Sequence, residues 1–350
     1  MSLADRALVV GINRYPSLSN LSGAEADASD FHAWVTAQGG VAPTDATLIL
    51  SSSFVAAVDP SHQEPLRERV YAFFENVRAA AITNSQSELG FKAGKRLYLF
   101  FAGHGFAPTL DSSGVLMANA NEDFLYNVSP ILWANRMYNG GWFDEVLLFQ
   151  DACRSPITGA QVDIPTLREW KADGTDARMR FYAFAAKSPQ SAIEKTDGNG
   201  QVHGVFSTTL LAGLRGDARD PATGDITAAG LKEYLQANMV KKLSPAEFAD
   251  SEVAKNPEVF HDGFVIVGGR PSDVPKFPVF IQLPAAGQPA SVVDGNFKVV
   301  RHDAAAPTPW VIDLPIGIFS AQSNGKEELF KVTGGRGPDG NPVTVNVSFH

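Results

Sequence analysis

The one cysteine of this chain, Cys153, sits in the run Phe149-Gln150-Asp151-Ala152-Cys153-Arg154-Ser155, and His104 lies 49 residues before it in Phe101-Ala102-Gly103-His104-Gly105. A thiol is mostly protonated at neutral pH, and an imidazole within reach can take its proton and leave a thiolate nucleophile. Each residue follows an apolar, strand-like run: Arg96-Leu97-Tyr98-Leu99-Phe100-Phe101 before the histidine, Val146-Leu147-Leu148-Phe149 before the cysteine. In an open α/β sheet, reacting groups gather beyond the carboxyl ends of parallel strands. Two strands ending in an imidazole and a thiol predict a Cys-His nucleophilic site at one sheet edge. Taken singly, Cys153 reads equally as a buried core thiol and His104 as a loop residue. Their matching positions after two strands are what carry chemistry. The glycines flanking His104 suit a sharp turn and a close backbone approach to a substrate. His32, His62, His203, His261, His302 and His350 fall in helix, loop or tail segments and read as structural or surface groups. With no Cys/His cluster, no zinc site is expected.

The elements that must position this pair alternate in type. Ala7 to Ile12 and Ala46 to Leu50 read as strands, and Arg180 to Ala185 as another beyond the cysteine. Glu25 to Gln38 places Ala28, Phe31 and Val35 near helical spacing and stops at Gly39-Gly40. Leu66 to Ile82 puts Leu66, Val70, Phe73, Phe74 and Val77 on one helical face. Val205 to Leu214 and Leu231 to Val240 read as helices, and Phe264 to Val267 as a last strand. This alternation predicts an α/β fold: a mainly parallel β-sheet with helices on both faces. Residues 155–180 lack strand signal and hold Arg168, Lys171, Arg178 and Arg180. After Gly268 the composition shifts, with 10 of the 22 prolines in residues 271–350. Short alternating runs such as Val343-x-Val345-x-Val347-x-Phe349 predict a small β-rich, sandwich-like domain. The expected organisation is a catalytic domain over 1–270 and a β-rich domain over 271–350.

At 350 residues and 44% hydrophobic content, the chain can bury a large core. A net charge of -9 argues against a nucleic-acid partner and favours basic substrates. A single cysteine excludes an intrachain disulfide framework, which fits a reducing compartment. Met1-Ser2-Leu3-Ala4-Asp5-Arg6 runs into a strand without a charged leader, and no apolar run approaches the roughly 20 residues a spanning helix needs. The expectation is a soluble, cytoplasmic protein with no membrane partner.

The Asp-Ala-Cys-Arg segment and its upstream histidine resemble the caspase-like cysteine peptidases, whose Q-A-C-[RQG]-G signature follows its histidine by about 50 residues. An aspartate two residues before the cysteine brings the chain closer to the metacaspases and their bacterial orthocaspase-type members. The resemblance implies the caspase-like fold over roughly residues 5–268. It implies His104 as general base, Cys153 as nucleophile, and the Gly105 and Cys153 N–H groups as oxyanion donors. Metacaspases cut after arginine or lysine with two pocket aspartates. One matches Asp151, and the other matches Asp27 in Leu21-Ser22-Gly23-Ala24-Glu25-Ala26-Asp27-Ala28. Carboxylates suit a guanidinium, whose planar fork binds them in bidentate fashion, whereas taken alone Asp27 reads as a first-turn helix residue and Asp151 as a strand-end hydrogen-bond acceptor. Ser188 and Gln190, in Ala185 to Glu194, match a groove-lining segment, and Gly204 to Leu214 matches a helix of bacterial members. The resemblance further implies a protein substrate, a processing linker at 155–180 cut by an activating protease, and a zymogen of a stress or antiviral defence cascade. Two departures stand out. Ala102 replaces the usual serine before the Gly-His pair, and Phe106 to Pro130 holds only Asp111, Glu122 and Asp123. No calcium site is assigned, and no cofactor is expected. The rival reading is a catalytically silent scaffold on the same fold.

Overall fold

The computed structural model describes residues 3–109, 112–169, 178–334 and 343–349. Two compact units divide the chain, one over Met1–Arg215 and Thr227–Ile266, the other over Gly216–Ile226 and Val267–His350.

The first unit is built on a six-stranded sheet. Its strands are β1 (Arg6–Gly11), β2 (Ala46–Leu50), β3 (Arg96–Ala102), β4 (Glu145–Asp151), β5 (Met179–Phe184) and β6 (Glu258–His261). The order across the sheet is β6-β5-β4-β3-β1-β2, with β1 to β5 parallel and β6 antiparallel at one edge. Parallel strands buried on both faces read as continuous apolar runs, and β3 shows why. Leu97, Leu99 and Phe101 join the core formed with Phe74 of helix α2 (Arg67–Asn84) and Trp133 of helix α3 (Pro130–Asn139). Phe100 faces the other way and stacks on Phe31 of helix α1 (Ala24–Ala37), with ring centroids 4.6 Å apart. Helices therefore cover both faces, as the alternation predicted. Helices α4 (Val205–Ala212) and α5 (Ala228–Met239) follow, with a short helix at Pro245–Ala249.

Several elements differ from the expectation. The strand at Val265–Val267 lies outside the central sheet, and β6 takes the edge beside β5 instead. Helix α3 opens at Ser129-Pro130, a proline at its first position, and carried too short an apolar pattern to stand out. The chain after His104 folds into an antiparallel hairpin, Gly105–Thr109 with Ser112–Leu116. In the 155–180 segment, Val162 and Leu167 pack against the main core, the Tyr71 hydroxyl donates to Asp163, and Arg136 donates to the Leu167 carbonyl. That first half is docked on the core; residues 170–177 lie outside the described residues.

The second unit is a pair of antiparallel-rich sheets. Phe277–Gln282 lies between Trp310–Leu314 and Val345–Ser348; the other sheet runs Val299–Ala306, Gln288–Asp294, Gly317–Ser323, Lys326–Val332. Alternate residues of both sheets, among them Val279, Ile281, Ile312, Val292 and Ala321, share one buried core. That inward alternation from two facing sheets is a sandwich.

Candidate active site

Strand register brings His104 and Cys153 to the same sheet edge. Gly11 pairs with Ala102, and Ala102 pairs with Asp151, so the carboxyl ends of β1, β3 and β4 lie level. His104 and Cys153 each stand two residues beyond that level, on adjacent strands about 4.8 Å apart. Both line one cleft, together with Leu21, Ala24, Asp27, Asp151, Glu194 and Gly204 among others. Gly105 permits the approach: a Cβ there would lie 2.8 Å from both the Ala152 Cβ and the Cys153 carbonyl oxygen.

The loop after β1 fixes the histidine. The His104 N–H donates to the Tyr15 hydroxyl at 3.0 Å, and the two rings pack at 4.7 Å. Burial holds the Tyr15 phenol well above its usual pKa, so it stays neutral. The Asn20 side chain accepts from the Tyr15 N–H at 2.8 Å and shapes this loop. The Ser19 carbonyl lies 2.7 Å from His104 Nε2. A carbonyl only accepts, so Nε2 is the donor in this contact and Nδ1 is the ring nitrogen not engaged by Ser19. On the other side of the cleft, Cys153 is a half-buried free thiol. The residue after it is anchored. The Arg154 N–H donates to the Gln190 carbonyl at 3.2 Å, and its buried guanidinium pairs with Glu258 of β6 and lies 4.6 Å over the Phe184 ring.

The acidic residues gather at two helix N-termini. Asp27 lies in the first turn of α1, yet its carboxylate caps no residue of that helix. Its Oδ1 is 2.8 Å from His203 Nδ1, and its Oδ2 accepts the Gly204 N–H at 2.7 Å. Asp151 Oδ2 accepts the N–H and hydroxyl of Ser207 at 3.1 and 2.6 Å. Gly204 and Ser207 stand at the start of α4, so both carboxylates meet its positive end. Glu194 does the same for α1, accepting from the N–H groups of Gly23 and Ser22 at 2.8 and 3.3 Å. Asp27 and Asp151 are both buried. Burial is the main force pushing the Asp151 carboxyl up to about 7; the Asp27 charge adds to it, and the Ser207 hydrogen bonds oppose it. Burial also raises Asp27, against the lowering effect of His203 and Gly204. Gly204 has no room for a side chain, because a Cβ would collide with the Asp151 carboxylate.

The structure thus brings His104, Cys153, Gly105, Asp27 and Asp151 to one place. Ser188 and Gln190 do not line that cleft. The Gln190 carbonyl holds the Arg154 N–H, and its side chain donates to the Ser251 carbonyl at 3.3 Å. Tyr15, the Ser19 carbonyl, Glu194, His203 and Ser207 are site groups that sequence reasoning passed over. His203 read as structural or surface; it is buried against Asp27. Its partner lies 176 residues away, and no local signal carries such a pairing. Among the described residues no three His, Cys, Asp or Glu side chains converge as a metal site, and no helix is long and apolar enough to cross a membrane.

Residues 4–251 match the family model of the caspase domain. No curated protein matches the chain. Similar solved structures include a protein from Geobacter sulfurreducens, 16% identical over 77% of this chain and 98% of that one, with a TM-score of 0.43. Caspase-1 from Spodoptera frugiperda is 14% identical over 74% of this chain and 88% of that one, with a TM-score of 0.45. The family match spans well over half the sequence: the chain belongs to the caspase-domain family of cysteine peptidases.

Proposed function

We propose that the protein is a cysteine endopeptidase that cuts after arginine or lysine. The observation that carries this reading is a single cleft lined by His104, Cys153 and the two buried aspartates, Asp27 and Asp151. Leu21, Ala24 and Ile193 add apolar lining that suits an aliphatic stem, and the two carboxylates suit a cationic head.

His104 Nδ1 takes the Cys153 thiol proton as Sγ attacks the scissile carbonyl carbon. The carbonyl electron pair moves to oxygen, where the Gly105 and Cys153 N–H groups receive it; losing one such donor costs about 3 kcal/mol of barrier. The tetrahedral centre collapses, the C–N bond breaks, and the imidazolium hands its proton to the departing amine. Water then attacks the thioester with His104 as base, releasing the acid and the thiol. No metal or organic cofactor takes part in these steps. We read the protein as cytosolic and regulated as a zymogen, cut within 155–180, where Arg168 is exposed, in a stress or antiviral defence setting. The test is a peptide-library cleavage profile: turnover confined to arginine or lysine before the cut supports the reading, and turnover confined to aspartate there overturns it.

A further inference from the structure

His203 is a buried titratable group that the mechanism above does not use. It precedes Gly204 at the end of the short strand Val202–Gly204, and these two neighbours grip the two oxygens of Asp27. The grips differ in kind. The Gly204 N–H is a permanent neutral donor and orients the carboxylate at every pH. The His203 imidazole adds a charge that comes and goes.

That charge sits among acids. Asp27 and Asp30 face it from α1, Asp197 from its own hairpin, and Asp27 in turn interacts with Glu194 and Asp151. Lys195, opposite His203 across the hairpin, is engaged with Glu247 at 2.6 Å. Asp27 and Asp151 both border the Gly204 backbone, and two buried like charges oppose each other's ionisation. A guanidinium needs both ionised to be held by both.

We propose that His203 is a positioning residue of the acidic pocket: its imidazolium holds Asp27 ionised beside Asp151, and so extends to lower pH the range in which the pocket accepts a basic side chain. The Asp27 hydrogen bond, the largest influence on His203, raises its pKa and so favours the charged ring beside Asp27. This inference rests on the arginine/lysine reading above.

The test compares wild type with His203→Asn, whose amide can still donate to Asp27 Oδ1 but carries no charge. An opposite charge within about 4–6 Å lowers a carboxylate pKa by about 1–3 units, so losing it moves the acid limb of kcat/KM for an arginyl peptide up by about one pH unit. At pH 6 this is about a tenfold loss, carried by KM rather than kcat, that narrows towards pH 8.5. An unmoved acid limb, or an equal loss at every pH, overturns the inference and leaves His203 as packing. His203→Gln, with a longer amide, gives the same reading should the asparagine variant not fold, as judged by circular dichroism. Wild type that fails to turn over any arginyl or lysyl peptide overturns the proposed function itself, and this inference with it; the two failures differ because only the second appears in wild type.

Discussion

The Ser19 carbonyl stands 2.7 Å from His104 Nε2, and this contact assigns the ring's two nitrogens. With Nε2 donating to that carbonyl, Nδ1 is the nitrogen that the proposed mechanism uses as base towards Cys153. Cys153→Ala removes the nucleophile and should abolish peptide cleavage while leaving the thermal midpoint near that of wild type. His104→Ala should lower kcat by about 10²- to 10⁴-fold, the usual worth of a positioned acid–base group. Steady-state rates on an arginyl peptide check both, and undiminished turnover by either variant refutes the dyad.

The loop that holds Ser19 in place depends on the Asn20 side chain, which accepts from the Tyr15 N–H. Asn20→Ala loosens the contact without touching the cleft. It should reduce kcat, by up to about 10²-fold, with KM little changed. A change in KM alone would show that the loop serves binding instead.

Asp151 accepts two hydrogen bonds from Ser207 and faces Asp27 across the start of α4. Asp151→Asn keeps an acceptor for Ser207 but deletes the charge. Hydrogen bonds to charged groups are worth about 1.5–3 kcal/mol, so KM for arginyl and lysyl peptides should rise about 10- to 100-fold. A KM within twofold of wild type would remove Asp151 from substrate recognition.

The raised Asp151 pKa has a defined sign. The folded protein holds this proton up to about pH 7, whereas an unfolded chain releases it near pH 4. Its contribution to stability is fully present below about pH 4 and is lost as pH rises towards 7. Wild type should therefore lose stability relative to Asp151→Asn between pH 4.5 and 7.5, read as the difference in thermal midpoints. Substrate affinity should run the other way, improving as pH rises through about 7. A constant midpoint difference would show that Asp151 ionises normally.

Gly204 sits where any Cβ would meet the Asp151 carboxylate. Gly204→Ala must push apart the start of α4 and the acidic pair, and overpacking of this kind costs about 1–3 kcal/mol. Both the thermal midpoint and kcat/KM for basic peptides should fall. Retention of both would mean that the α4 terminus moves freely.

The sequence by itself determined that Cys153 and His104 follow two buried strands, because continuous apolar runs and flanking glycines are local signals. It also yielded Asp27 and Asp151 through resemblance, and the sandwich through the alternation of Val343 to Phe349. It did not reveal β6 as the edge strand, since antiparallel pairing of Glu258–His261 with β5 depends on partners 74 to 80 residues away, from Glu258↔Phe184 to His261↔Phe181. Only the tertiary structure decided what surrounds the dyad and the acids. The Ser19 carbonyl is a backbone group with no sequence signature. His203 and Glu194 acquire meaning only when a hairpin some 170 residues downstream closes on α1. Burial, which raises Asp151, is likewise a property of the packed chain, because desolvation depends on every neighbour that excludes water.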